Sequence, residues 1–364
     1  MSDTSIPQRL NLCAGDWAQV RSKEEILSTL DKNGRLDEMP FMPEMFQHCG
    51  KKYRVGKRSH KTCDPMNGLE SRRLPNTVHL EGLRCDGSAH AGCQAGCLFY
   101  FKEAWLKKVD EDAPETAAPP AAPKIHPRGA TEDEVLRGTI APVQPEGAEG
   151  PIYCCQATQV QYATTPIKWY DPTPYIEDYK SGNASLWRMF CAFLFWMYHE
   201  ASGLGIGLGS AMRWAYDTFQ KTIGGVPYPW RVGRVPKGQR TPTGKLDIQE
   251  GEMVRIKDYD EILDTLDDEW KNRGLYFDAE MVPFTNGTYK VIKRVNRIID
   301  EKNGKMLNFK NECLILDEVV CQARFAKCRK LCPRAYYLYW REIWVERVSG
   351  GSGKDSEKPS ACQH

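Results

Sequence analysis

Two stretches of the chain, 236 positions apart, show the same order of hydrophobic and polar residues. GDWAQVRSKEEILSTLD (15–31) and GEMVRIKDYDEILDTLD (251–267) each begin with glycine, continue with a short alternating run and end with apolar residues at helical spacing. Alternation with a period of two is typical of a strand, and spacings of three and four are typical of a helix. Each stretch therefore predicts a strand followed by a short helix.

The similarity continues along both stretches. KKYRVGKR (51–58) and TYKVIKRVNRII (288–299) predict strands, as do TVHLEGLRC (77–85) and CLILDEVVC (313–321), and each copy closes on an aromatic segment that fits helix or strand. Repetition at a fixed offset indicates a duplicated domain. We expect a mainly β fold with short helices, built as two tandem small barrels with metal sites; the strand pattern resembles that of an SH3-like barrel.

Composition divides the chain into five parts. The repeats occupy 1–109 and 248–349, and a Pro/Ala-rich segment at 110–149 reads as a linker. An apolar, partly helical middle segment covers 150–247, and residues 350–364 read as a disordered tail.

The middle segment contains an apolar run, Leu186 to Tyr198, that is too short to span a bilayer. Its simplest interpretation is a helix buried against the two repeats. The alternative is peripheral membrane contact through residues 185–221, with Trp187, Trp196 and Trp214 at the level of the lipid headgroups.

Charge and cysteine content narrow the class of protein. Fifty Lys and Arg residues nearly balance 48 Asp and Glu residues, which disfavours nucleic acid as a partner. The first residues lack the basic start and apolar run of a secretory signal, so we expect a cytoplasmic protein. Fourteen cysteines in a reducing compartment are more typical of metal binding than of disulfides.

The C-terminal copy carries four cysteines in a short span: Cys313, Cys321, Cys328 and Cys332. Four thiolates suit a closed zinc site or an iron–sulfur cluster. The first two cysteines are eight positions apart, so on one extended strand both would point to the same face. The other two would come from a turn that ends at Pro333.

The N-terminal copy offers five candidate ligands for four places. The preferred set is His79, Cys85, Cys93 and Cys97, with His90 as the first replacement. Aligning the two Cys-x3-Cys strings pairs Cys93 with Cys328. Aligning the closing aromatic segments without a gap pairs Cys93 with Cys332 instead.

Cys63, Cys154 and Cys155 lie outside the duplicated set, and Ile299 takes the place equivalent to Cys63. They are either ordinary thiols or part of a functional site found only in the N-terminal half.

HLEGLRCDGSAHAGCQAGC (79–97) and CLILDEVVCQARFAKCRKLC (313–332) are the strings that carry a resemblance to known proteins. With both strings the chain resembles a family of uncharacterised bacterial proteins of similar length. That resemblance implies no activity and no catalytic residues.

The sequence contains no nucleophile elbow, Walker loop or HExxH helix. The function is therefore inferred from the two cysteine-rich clusters. We expect a tandem metal-binding protein with two zinc ions that acts as a binding or scaffold module for a protein partner. The alternative is an iron–sulfur redox protein or metalloenzyme with its functional site in the N-terminal half.

Overall fold

A computed structural model describes residues 9–64, 70–112, 129–144, 150–204, 209–325 and 331–348. They form two compact units. The first unit contains the chain up to Ala184 together with 297–308 and 331–336, and the second contains the rest of the described chain. The expected linker is described only at 110–112 and 129–144, and the expected tail lies outside the described residues.

The first unit is built on antiparallel strands. Its strands are β1 (Trp17–Val20), β2 (Arg35–Leu36), β3 (Met39–Pro40), β4 (Lys52–Arg58), β5 (Lys61–Asp64), β6 (Glu70–Arg73), β7 (Thr77–Leu80), β8 (Phe101–Lys102), β9 (Leu106–Val109) and β10 (Thr165–Pro166). They form a five-stranded sheet in the order β8-β7-β4-β1-β9, a three-stranded sheet β10-β6-β5 and the β2–β3 ribbon.

Short helices connect these strands: α1 (Lys23–Thr29), α2 (Glu132–Arg137), α3 (Gln156–Gln159) and α4 (Thr173–Lys180), with 3-10 turns at Pro43–His48 and Glu103–Trp105. Helix α1 begins at a capping box, in which Ser22 accepts from the Glu25 N–H and Glu25 accepts from the Ser22 N–H. This local S-x-x-E signal fixes the start of the helix.

The second unit repeats this plan. Its helices are α5 (Leu186–Ser202), α6 (Gly209–Ile223) and α7 (Tyr259–Leu263), and its strands are β11 (Met253–Ile256), β12 (Lys271–Asn272), β13 (Leu275–Tyr276), β14 (Thr288–Ile299), β15 (Met306–Leu316) and β16 (Val345–Arg347). The turn of the β14–β15 hairpin, residues 297–308, is counted in the first unit. The sheet order β15-β14-β11-β16 matches β7-β4-β1-β9 at equivalent residues.

Buried contacts recur at equivalent residues, which lie 236 positions apart for Arg58 and Arg294 and 239 positions apart for Glu103 and Glu342. In the first unit the Glu103 carboxylate accepts from the N–H groups of Leu10 and Leu12 and pairs with Arg58. The second unit repeats this with Glu342, which accepts from Leu246 and Ile248 and pairs with Arg294.

The buried tryptophans of the two units also make equivalent contacts. Trp105 donates its indole N–H to Thr29 at 3.1 Å, and the equivalent Trp344 donates to Thr265 at 2.8 Å. Both indoles are fully buried. Equivalent residues of the two stretches therefore make the same side-chain contacts and lie in strands of the same order.

The apolar middle segment departs from expectation. Helix α5 contains no buried residue, so the interpretation of a helix buried against the repeats is wrong. Only one flank of α5 packs, with Phe195 at 4.9 Å from Phe325 and Arg188 donating to the Gln322 carbonyl. Trp187 and Trp214 are 60% and 70% exposed. None of the helices in the described parts of the chain is both long and apolar enough to cross a membrane.

Candidate metal centre

A cavity of about 40 Å³ lies in the first unit at the cysteine-rich string. This is more space than one water molecule requires. Four thiol-bearing residues line the cavity: Cys85, Cys93, Cys97 and Cys155. His90, Ile299 and Arg334 also contribute to its wall.

A tight turn gathers the first three cysteines. The Cys85 N–H donates to the Cys97 carbonyl at 2.8 Å, so both ends of the string pair with each other. Between them the Cys93 N–H donates to the His90 carbonyl. Gly87 allows this closure, because a Cβ at this position would lie 2.0 Å from the Cys93 oxygen and φ is +76°.

Cys155 arrives from a distant part of the chain. It is the N-cap of α3, where its N–H donates to the Thr158 hydroxyl. The next residue, Gln156, bonds both backbone groups of Tyr100 and the Pro40 carbonyl. Because these bonds are buried, α3 is fixed against the strand that follows Cys97. The fourth thiol is thus held at the cavity by its neighbour.

Burial disfavours the thiolate form of three of these cysteines. It raises the pKa of Cys85, Cys97 and Cys155, and neighbouring groups reinforce the shift: Glu44 acts on Cys85, and Glu301 acts on the other two. Neighbouring thiols add to these shifts: Cys97 and Cys155 raise the pKa of Cys85, and Cys93 raises the pKa of Cys97 and Cys155. A metal ion would supply the missing positive charge and displace the protons.

Glu44, Cys85 and His90 meet beside the cavity. Among the described residues this is the one group of three such side chains whose ligand atoms lie within 4.8 Å of one another. Both His90 nitrogens already bond oxygen, Nδ1 at 3.1 Å from Glu44 and Nε2 at 3.1 Å from the Cys154 carbonyl. His90 would therefore have to give up a hydrogen bond to bind a metal.

Glu44 carries an unsatisfied oxygen. Its Oε1 accepts from Ala89, His90 and Cys85, while the buried Oε2 has no hydrogen-bond partner. In the second unit the equivalent Glu280 uses both oxygens, accepting from the N–H groups of Arg324 and Phe325. A buried carboxylate oxygen without a partner is costly unless a cation compensates it. The four cysteine sulfurs that line the cavity, and the unpartnered Glu44 oxygen beside it, are donors of the kind that bind a metal ion.

His79 does not join this group. The strand expected to carry both His79 and Cys85 ends at Leu80, and Gly82 turns the chain with φ at +73°, so the two do not share a strand face. The His79 Nδ1 bonds the Phe99 carbonyl at 2.9 Å. Burial lowers its pKa to about 4, so it is a neutral core histidine. The set preferred from the sequence included His79, whereas Cys155 entered there only through the alternative of a functional site in the N-terminal half.

The C-terminal set is divided between the two units. Cys313 and Cys321 belong to the second unit, but strand β15 ends at Leu316, so they do not lie on one strand. The Cys313 sulfur accepts from Arg341 at 3.4 Å. Cys332 is counted in the first unit. Cys328 lies outside the described residues.

The structure favours one of the two sequence alignments of the cysteine strings. Left-handed residues flank Cys93 at Gly92 and Gly96, and left-handed residues flank Cys332 in the same positions at Leu331 and Ala335. The matching backbone conformations therefore indicate that Cys93 is the equivalent of Cys332 in the alignment of the two copies.

The chain matches no protein family and no curated protein. The geometry of the site therefore carries the functional argument.

Proposed function

We propose that the first unit binds one thiolate-ligated metal centre through Cys85, Cys93, Cys97 and Cys155, and that this centre is the functional site. The observation that carries the proposal is the cavity lined by these four cysteines, which come from two separate parts of the chain. Buried Arg334, paired with Glu301, lines the same cavity. It would offset the negative charge that four thiolates leave around a metal.

An iron–sulfur cluster fits the ring of four sulfurs, from Cys85, Cys93, Cys97 and Cys155, better than a single zinc ion does. Zinc at about 2.3 Å from four sulfurs would hold them about 3.8 Å apart. No three of these four sulfurs form a group within 4.8 Å, although all four residues are described. A cluster binds its thiolates at different iron atoms and so accepts a wider ring. Such a centre would supply one-electron chemistry in the cytoplasm, where thiols stay reduced.

The fold of the two repeats is the second part of the proposal. We propose that each repeat is a small SH3-like barrel, since the four-strand order and the buried Glu–Arg pair recur. In the described parts of the chain, α3 and Cys155 belong to the first unit, so the first unit is expected to hold the centre.

The absorption spectrum and the metal content of the native protein test the proposal. After anaerobic purification we expect a brown sample that absorbs near 400 nm and contains iron and acid-labile sulfide, on the order of one cluster per chain. A colourless sample with two zinc ions per chain would instead support the tandem zinc scaffold. A sample without metal that takes up neither iron nor zinc would overturn both.

A second candidate function rests on the exposed apolar side chains of α5 and α6. They are Leu186, Trp187, Phe190, Phe193, Leu194, Met197, Trp214, Phe219 and Ile223. We propose that this face contacts a lipid surface, because tryptophan is the side chain best suited to the boundary between headgroups and acyl chains.

Vesicle flotation tests this contact. The full chain is expected to float with phosphatidylcholine vesicles, and replacing Trp187 and Trp214 with serine should reduce the bound fraction several-fold. Trp169→Ser is the matched control, because Trp169 is 95% exposed and lies outside both helices. Equal flotation of all three proteins, or a dimer that the double variant abolishes, would count against lipid as the partner.

A further inference from the structure

Cys93 and Cys332 make equivalent contacts with different neighbours. The Cys93 sulfur accepts from the Ile299 N–H at 3.4 Å, and the Cys332 sulfur accepts from the Cys63 N–H at 3.3 Å. Positions 63 and 299 are related by the same 236-residue offset as the repeats. All four residues belong to the first unit. In the first contact the backbone donor belongs to an apolar residue, and in the second it belongs to a residue that itself carries a thiol.

The Cys63–Cys332 pair is held rigidly. Cys63 lies in the fully buried strand β5, paired opposite Ser71 of β6. Cys332 lies in a turn whose Arg334 donates to the Cys63 carbonyl at 3.5 Å and pairs with Glu301. The turn is thus bonded to both backbone groups of Cys63, the N–H through Cys332 and the carbonyl through Arg334.

The two thiols are electronically unequal. A hydrogen bond from the Cys63 thiol lowers the pKa of Cys332, against the opposing effect of burial, and the nearby Arg334 adds to the lowering. The lowered pKa favours the thiolate form of Cys332, and the thiol that donates to it, Cys63, is the neighbour that can react in a second step.

We infer that Cys63 and Cys332 form a redox-active dithiol that closes to a disulfide when a small peroxide reaches it. The Cys332 thiolate attacks one peroxide oxygen, the O–O bond breaks, and a sulfenic acid and hydroxide form. The Cys63 thiol then attacks the sulfenic sulfur and displaces its hydroxyl group, which leaves with the thiol proton as water. Two thiols are oxidised and one hydrogen peroxide becomes two waters. This inference is independent of the metal centre.

Peptide mapping of the full chain tests it. Trypsin cleaves after Lys61, Arg72, Lys330 and Arg334, so each cysteine lies in its own peptide, 62–72 and 331–334. After treatment with hydrogen peroxide and alkylation, we expect these two peptides to be joined and two hydrogens lighter than their sum. Dithiothreitol should release them.

Two variants sharpen the test. Cys63→Ile copies the neighbour that Cys93 has, and it should leave Cys332 at the sulfenic acid or beyond, trapped by dimedone. Cys313→Ser, at a buried cysteine of the second unit, should leave the linkage unchanged. If the native chain forms no 62–72 to 331–334 product, the inference fails, and this readout needs no variant. Loss of metal in Cys63→Ser or Cys332→Ser would also overturn it, because the pair would then be a metal site.

Discussion

Replacing Cys155 with serine is expected to remove the metal centre while leaving the fold intact. A serine hydroxyl does not replace a thiolate as a ligand to iron or zinc, so bound metal should fall to a small fraction of the native content. The local structure should survive, because Cys155 is the N-cap of α3 and serine is among the preferred N-cap residues. Metal analysis and the visible spectrum of the anaerobically purified variant measure the effect.

Two controls separate this result from a general loss of cysteine. Cys313→Ser makes the same chemical change at a buried thiol of the second unit and should keep the native metal content. His79→Gln should keep it as well, because the His79 Nδ1 bonds the Phe99 carbonyl and the side chain does not line the cavity. Metal loss in His79→Gln with retention in Cys155→Ser would restore the three-cysteine, one-histidine set.

Trp105→Ala is expected to destabilise the first unit by about 3–5 kcal/mol, the usual range for removing a buried aromatic side chain. Trp105 is fully buried, its ring meets Phe41 edge-on at 5.1 Å, and its N–H bonds the buried Thr29 hydroxyl. The variant loses apolar burial, opens a cavity and leaves that hydroxyl without its donor. Urea denaturation, followed by hydrogen exchange of first-unit peptides, measures the change.

The second unit provides the comparison. Trp344→Ala should have a similar effect on second-unit peptides, since Trp344 meets Phe277 at 5.2 Å and donates to Thr265. Trp169→Ala should change stability by less than about 0.5 kcal/mol, because this exposed side chain has little burial to lose. Equal effects at Trp105 and Trp169 would contradict the proposed core.

Cys85 and Cys155 differ in how well the sequence alone indicated that they would line the cavity. Cys85, Cys93 and Cys97 lie within thirteen residues, so a single turn gathers them, and their spacing alone marked them as ligands. Cys155 follows after a long Pro/Ala-rich segment and carries no spacing signal. Bonds between distant segments, including those from Gln156 to Tyr100 and Pro40, bring it to the cavity. His79 was chosen by strand parity, which failed because the strand ended first.

The sequence by itself determined the recurrence of similar residues 236 positions apart and the strand-then-helix order that opens each copy, because alternation and helical spacing act over a few neighbouring residues. The tertiary structure decided which thiols meet. Cys332 lies beside Cys63, 269 positions away, and α5 is exposed despite its apolar composition. Contacts between distant segments depend on how whole elements pack, and residue spacing does not encode that packing.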